Sequence, residues 1–206
     1  VGIPDNLPEK GFVMTINEWD ERADDWDTNL STSVYADKAY NELTQAVRLN
    51  GQRVFDFGCG TGLLTERLSS GVKEIVALDS SPKMIERLKQ KTLPNVFPIA
   101  NFLTRSVVEN NTLLRQKFDL ITASSVCAFL PDYEGTLSLL RSLMMPNGVY
   151  VQWDWLSTSK NTEDGFTVRR VKQALTDTGF KNISISQPFE MGVAPDILTV
   201  LMAVAK

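Results

Sequence analysis

RVFDFGCGTGLLTERL, residues 53–68, opens on an apolar run that ends in an acid, passes through three glycines at alternate positions and closes on a helix-like pattern. RVFDFG reads as a buried strand. In LLTERLSS, Leu63, Leu64 and Leu68 share one helical face, and Gly71 stops the helix. Gly58, Gly60 and Gly62 carry no side chains, so the backbone between strand and helix can turn sharply and approach a ligand closely. The helix that follows offers N–H groups and a positive dipole end to an anion.

The pattern continues outward from that turn. EIVALD (74–79) reads as a second strand, and SPKMIERLKQK as a second helix with Ser81 as cap, Pro82 in the first turn and Met84, Ile85 and Leu88 as the buried stripe. VFPIAN (96–101), FDLITASS (118–125) and GVYVQWDW (148–155) read as three further strands. TLSLLRSLM and EDGFTVRRVKQALTDTGF read as helices, the latter ended by Gly179. Strands that are apolar nearly throughout and alternate with helices call for a parallel sheet covered on both faces. KNISISQPF and DILTVLMAVAK have no helix between them, so they pair as an antiparallel hairpin through EMGVAP. Residues 1–52 read instead as two amphipathic helices, INEWDERADDWDTNL and SVYADKAYNELTQAV. The expected fold is α/β: a doubly wound, mostly parallel seven-stranded sheet with a C-terminal antiparallel hairpin. An N-terminal helical cap (1–52) is carried on the core (53–206), the whole being one domain.

Composition narrows the function. The 206 residues hold 43% hydrophobic and 22% charged residues, ordinary values for a soluble globular chain. No apolar run reaches the ~18 residues of a membrane span, and VGIPDNLPEKGF lacks the features of a signal peptide. The cytosol is the expected compartment. A net charge of −4 argues against nucleic acid, which favours a basic face. There is no histidine, which excludes Ser–His and His–Cys pairs and histidine-bound metals. Cys59 and Cys127 are far apart and read as small apolar residues, so no metal is expected.

In open α/β sheets, ligands bind at the carboxyl ends of the strands, beside the first strand. A Walker A loop needs Lys-Ser/Thr after its last glycine, but Gly62 is followed by Leu63 and Leu64. The nicotinamide fingerprint needs a third glycine three residues after the second, where Leu63 stands. A ligand without pyrophosphate, S-adenosylmethionine, asks only for close backbone approach and some polar partners.

VFDFGCGTG resembles the first motif of the class I S-adenosylmethionine-dependent methyltransferases, an acid, one residue and Gly-x-Gly-x-Gly. VALDSSPKMIERL resembles the second motif, FDLITASS the fourth-strand motif and LMMPNGVYVQ the loop into strand five. The resemblance covers residues 53–206, and its specificity lies in the order and spacing of short motifs. It implies roles residue by residue. Asp56 would order the turn and, through water, meet the methionine amino group. Gly58, Cys59, Gly60 and Gly62 would form the backbone cradle. Asp79 would accept both ribose hydroxyls; Ser80 and Met84 would flank the adenine; Asn101 and Phe102 would meet its edge, Asn101 standing where the family often has Asp. Ser124 and Ser125 would sit beside the methionine moiety. EWDERADDWD resembles the N-terminal cap segment of small-molecule members, with Trp26 and Asp27 in place of its aromatic–Asp pair.

The acceptor would lie beyond the sulfonium, where Phe129, Trp153 and Trp155 offer an aromatic wall. Trp19, Tyr35 and Tyr40 add aromatic surface from the cap, although packing explains them equally well. Methyl transfer from a sulfonium needs positioning first and a base only if the acceptor must lose a proton. The candidate bases are Asp154, Tyr133, Asp132 and Asp27. The family's Asn/Asp-Pro-Pro-Tyr/Phe motif is absent after strand four, which argues against methylation of nucleobase or glutamine amino groups. The reading is therefore transfer of a methyl group from S-adenosylmethionine to a small-molecule acceptor. A non-catalytic cofactor-binding module and a nicotinamide oxidoreductase stand as the alternatives.

Overall fold

A computed structural model describes residues 15–157, 166–193 and 196–206. Its elements in chain order are α1 (Ile16–Arg22), α2 (Leu30–Ala46), β1 (Arg53–Phe57), α3 (Leu63–Ser69), β2 (Glu74–Asp79), α4 (Pro82–Gln90), β3 (Val96–Ala100), α5 (Arg105–Asn110), α6 (Thr112–Arg115), β4 (Phe118–Ser124), α7 (Tyr133–Ser142), β5 (Met144–Trp155), α8 (Val168–Asp177), β6 (Ser184–Val193) and β7 (Asp196–Ala205). One sheet runs β3-β2-β1-β4-β5-β7-β6, with β7 antiparallel to both neighbours and the other pairs parallel. The strand order reverses between β1 and β4, which is where the glycine turn leaves the sheet.

Strand parity divides the core. Val54, Ile75, Ala77, Leu120, Val151 and Trp153 face α2, α3 and α4, while Phe55, Phe57, Val76, Ile121 and Tyr150 face α7 and α8. Both faces are covered, so every residue of β1 is buried. The caps follow from local chemistry. Thr15 and Glu18 form a reciprocal capping box at α1, and Asn29, Ser81, Asp132 and Thr167 each accept a backbone N–H at the start of a helix. In α2, Ser31, Tyr35, Ala36, Ala39 and Leu43 form a buried stripe, docking the helix across the sheet.

Several boundaries differ from the sequence reading. The first N-terminal helix stops at Arg22, and residues 23–28 form turns. Two short helices, α5 and α6, occupy a stretch read as connection; their caps Thr104 and Asn111 stand in plain view, but neither helix has a full apolar stripe. β5 starts at Met144, ahead of the expected Gly148, because Met144 pairs with Phe118 before the register shifts. Residues 1–14, 158–165 and 194–195 lie outside the described residues, and with them the signal-peptide reading; the helix expected from Glu163 to Gly179 begins only at Val168, because Phe166 pairs with Leu156 and Thr167 caps the first turn. Among the described residues no helix is long and apolar enough to cross a membrane.

Candidate cofactor and acceptor cavity

The turn after β1 is built from the inside. Asp56 is buried beneath it and accepts from Thr65 Oγ1 at 2.5 Å and Thr122 Oγ1 at 2.9 Å. Burial pushes its carboxyl up to about 6, against the pull of those two hydroxyls. Gly58 N and Cys59 N donate to Leu78 O at 2.8 and 3.1 Å, Gly60 N to Asp79 Oδ2 at 2.8 Å, and Gly62 N to Cys59 O at 2.9 Å. The four amides are thus spent within the protein. A pyrophosphate would need such groups free, so the turn suits a ligand that wants bare main chain rather than an N–H cradle. A Cβ on Gly58 would lie 2.3 Å from Val126 Cγ2, whereas one on Gly60 would meet only Trp26 Nε1, at 3.9 Å. The space above Gly60 is the cavity.

That cavity encloses about 1150 Å³ along the carboxyl ends of β1, β2 and β4. Asp56, Gly58, Cys59 and Gly60 line its floor. Asp79, Ser80, Met84, Asn101 and Phe102 line one end. Ser124, Ser125, Trp26, Phe129 and Trp155 line the other. Asp79 ends β2 with Oδ2 on Gly60 N and Oδ1 on Ser81 N at 2.9 Å; burial raises its pKa, and the two amides oppose that rise. A carboxylate has about four lone-pair sites, so about two stay open for hydroxyl donors. These features fit a nucleoside: an acid for the sugar, and Asn101 beside the apolar surfaces of Met84 and Phe102 for a base. The volume stands at the upper end of ligand pockets, ~300–1,000 Å³.

Five of the residues expected in the site do not line the cavity. Gly62 sits at φ +83° with its Cα against α4, where a Cβ would fall 2.3 Å from Leu88 Cδ1; its place is helix packing. Trp153 points into the core beneath α2, on the face of β5 that parity assigns it, and is fully buried. Asp154, on the opposite face, is also fully buried and accepts from Gln152 Nε2 at 2.7 Å. Gln152 Oε1 in turn accepts from Tyr133 Oη at 2.7 Å and Tyr150 Oη at 3.0 Å. Asp154 and Tyr133 are therefore members of an interior polar network. Asp27 is held by the Thr61 hydroxyl and by Lys91 Nζ at 2.9 Å. Asp132, which does border the cavity, caps α7 through Gly135 N at 2.9 Å.

The acidic stripe around α1 reads from the sequence as a solvated face with some attraction for cations. Much of it instead ties the cap to the core: Asp20 accepts from the Ser81 hydroxyl, Asp24 pairs with Arg87, and Asp27 pairs with Lys91. With those acids turned to α4, Trp19 and Trp26 turn to the cavity, packing edge-to-face with a centroid distance of 5.9 Å. Trp19 also meets Phe129 at 5.0 Å. Thr32, Val126 and Met191 line the cavity too, and no local motif singles them out.

Burial pushes the Asp154 carboxyl up to about 7, opposed mainly by the Gln152 amide. A raised native pKa means the folded state holds its proton to higher pH than the unfolded chain does. The resulting stability is complete below the ordinary carboxylate range and is lost as pH rises toward 7. Asp154→Asn, which mimics the neutral acid, should flatten this loss. Between pH 4.5 and pH 8, urea titrations should show the wild type losing roughly 1–2 kcal/mol more than the variant, the part of a three-unit shift that survives relaxation of a buried site. Parallel curves would contradict the assignment of a charged, buried Asp154 at neutral pH.

Comparison with known proteins bears on the same region. Residues 55–150 match the family described as "Methyltransferase domain". The "Ubiquinone biosynthesis O-methyltransferase" of Haemophilus ducreyi is 29% identical over 124 residues, 58% of this chain and 50% of that protein. The chain spans about half the length of the curated relatives it matches. Among solved structures, the "DhpI-SAM-HEP complex" superposes with a TM-score of 0.72 at 20% identity, covering 93% of this chain and 95% of that one. A TehB-like SAM-dependent methyltransferase from Corynebacterium glutamicum gives 0.67 at 20%, covering 93% and 99%. Likeness at that identity speaks to the fold, and the sheet order, hairpin included, agrees with it. The matched stretch spans the glycine turn, the Asp79 carboxylate and the strands that carry both; it is similar to a methyltransferase domain, and the sheet around it has the methyltransferase fold.

Proposed function

We propose that this protein transfers the methyl group of S-adenosylmethionine to a small-molecule acceptor. The observation that carries the reading is a single cavity with a nucleoside-suited end at Asp79 and Asn101 and an aromatic end at Trp19, Phe129 and Trp155. Similarity to ubiquinone biosynthesis O-methyltransferases favours oxygen as the acceptor atom. The cofactor supplies a methyl already activated on a sulfonium. The chain supplies the rest: Asp79 grips the sugar, the main chain at Gly58 and Gly60 lets the amino-acid tail approach, and Ser124 flanks that tail. The aromatic end excludes water and aligns the acceptor for in-line attack. Of the acids considered as bases, Asp154, Tyr133 and Asp27 are engaged away from the cavity and Asp132 is a helix cap. Positioning is therefore the main source of rate. Residues 1–52 act as a lid, since Trp19, Trp26 and Tyr35 all reach the cavity from this segment.

Radiolabelled S-adenosylmethionine mixed with the protein and a metabolite extract should pass label to a small organic product, and hydrogen-exchange protection over residues 15–45 should rise when the cofactor binds. Tight binding without any transfer would leave a cofactor-binding module in place of an enzyme. No binding at all would overturn the cofactor assignment itself.

A further inference from the structure

Tyr35 lies on the buried stripe of α2 and is 8% exposed, yet it lines the cavity. Its ring is wedged between Trp155, at a centroid distance of 5.3 Å, and Phe189, at 5.5 Å. Its Oη is buried and has no hydrogen-bond partner among the described residues. The Ser124 and Ser125 hydroxyls border it from the end of β4, neither in full hydrogen-bond geometry. An orphaned buried hydroxyl is rare, because it forfeits its hydration without replacement. Gln52 Oε1 and Trp153 Nε1 are also unpaired, but neither residue reaches the cavity. Of the three orphaned groups, that of Tyr35 alone belongs to a residue that lines the cavity.

The surroundings of that group are specific. Ser125 is held at φ +54°, a conformation a serine rarely adopts, and its N–H is fixed to Trp153 O at 2.8 Å. Ser124 and Ser125 both line the cavity. Trp19 and Phe129, edge-to-face at 5.0 Å with their rings perpendicular, form an apolar aromatic corner on the same cavity. Burial, and then the Asp154 carboxylate behind it, push the Tyr35 phenol well above its usual pKa. It stays protonated and has a hydrogen to give.

We propose that Tyr35 is the residue that grips the acceptor, its Oη pairing with a hydroxyl of a planar aromatic substrate laid against Trp19 and Phe129. The assignment rests on the methyl-transfer reading above, and it deepens that reading by naming the substrate class. Tyr35 is a binding and orienting residue. A site built around a hydrogen-bonding group discriminates against the isostere that lacks it, because the group is then left unpaired.

The test uses 2-naphthol and 2-methylnaphthalene, matched in shape and differing in the hydroxyl, titrated against the full chain with and without saturating S-adenosylhomocysteine. The wild type should bind 2-naphthol at least about fivefold more tightly, the lower end for a buried hydroxyl left unpaired. Tyr35→Phe keeps the ring between Trp155 and Phe189, so it should bring the two probes within about twofold of each other. With no hydrogen bond to lose, the ligand-free variant should melt no lower than the wild type, whereas a structurally bonded hydroxyl would lower the melting temperature. Equal binding of the two probes by the wild type, or a preference that survives in Tyr35→Phe, would overturn the assignment. Failure of S-adenosylhomocysteine to bind would overturn the cofactor reading, while the probe pair alone still decides Tyr35.

Discussion

Asp79→Ala should weaken S-adenosylhomocysteine binding by about 2–3 kcal/mol, roughly 30- to 150-fold, with little loss of fold. Two of the carboxylate's acceptor sites are already used, by Gly60 N at 2.8 Å and Ser81 N at 2.9 Å, and those bonds fix its plane. The residue lines the cavity, where a sugar can meet it. A hydrogen bond to a charged partner contributes about 1.5–3 kcal/mol, and a ribose offers two hydroxyls. Alanine would also release the Gly60 amide, on which the close approach of the main chain depends. The fold should tolerate the change because the freed amides border a cavity open to water and because Asp56, Thr65 and Thr122 hold the turn from below. Asp79→Asn retains one acceptor oxygen and should lose less. Calorimetric titration gives the affinities and a thermal melt the fold. An unchanged dissociation constant in the alanine variant would show that the sugar lies elsewhere.

The contrast between Asp79 and Asp154 shows what a sequence of this kind reveals. Glu74–Asp79 is legible to the residue, because an apolar run bounded by a polar start and an acid end can only be a strand crossing a covered sheet. Ser81 and Pro82 then announce the next helix. The same covering hides the fate of β5. Both faces of its inner part are buried, so QWDW carries no parity signal that separates Trp153, which faces α2, from Asp154, which faces the Gln152 network. Only Trp155, at the strand's end, reaches the cavity. The ion pairs of the cap are hidden for another reason: Asp24 and Arg87 are far apart in sequence, and nothing local tells an acid facing water from one facing α4. Tyr35 was visible as an aromatic on an amphipathic helix; that its hydroxyl is orphaned depends on where α2 docks, which no local pattern encodes.

Gly62 carries the second large effect. It was expected to face the cofactor, and its role in packing makes a prediction about stability. Gly62→Ala should lower the free energy of unfolding by about 2–4 kcal/mol in urea or thermal denaturation. Two independent causes add. At φ +83° a residue with a Cβ incurs backbone strain of ~1 kcal/mol or more. The new Cβ also falls 2.3 Å from Leu88 Cδ1, and Leu88 is 1% exposed, so it can yield only by disturbing the core beneath α4, an overpacking cost of ~1–3 kcal/mol. The two causes separate in a double-mutant cycle. Leu88→Ala alone leaves a cavity and should cost ~2–5 kcal/mol, but in its presence the clash is gone, so the double variant should be more stable than the sum of the single effects by about 1–3 kcal/mol, the clash part alone. The backbone part would persist. Gly60→Ala is the control: its Cβ meets nothing closer than Trp26 Nε1 at 3.9 Å, so it should lack the packing cost while intruding on the cofactor's space. Strict additivity in the cycle, or a Gly62→Ala protein as stable as the wild type, would mean that α3 and α4 do not meet through this glycine.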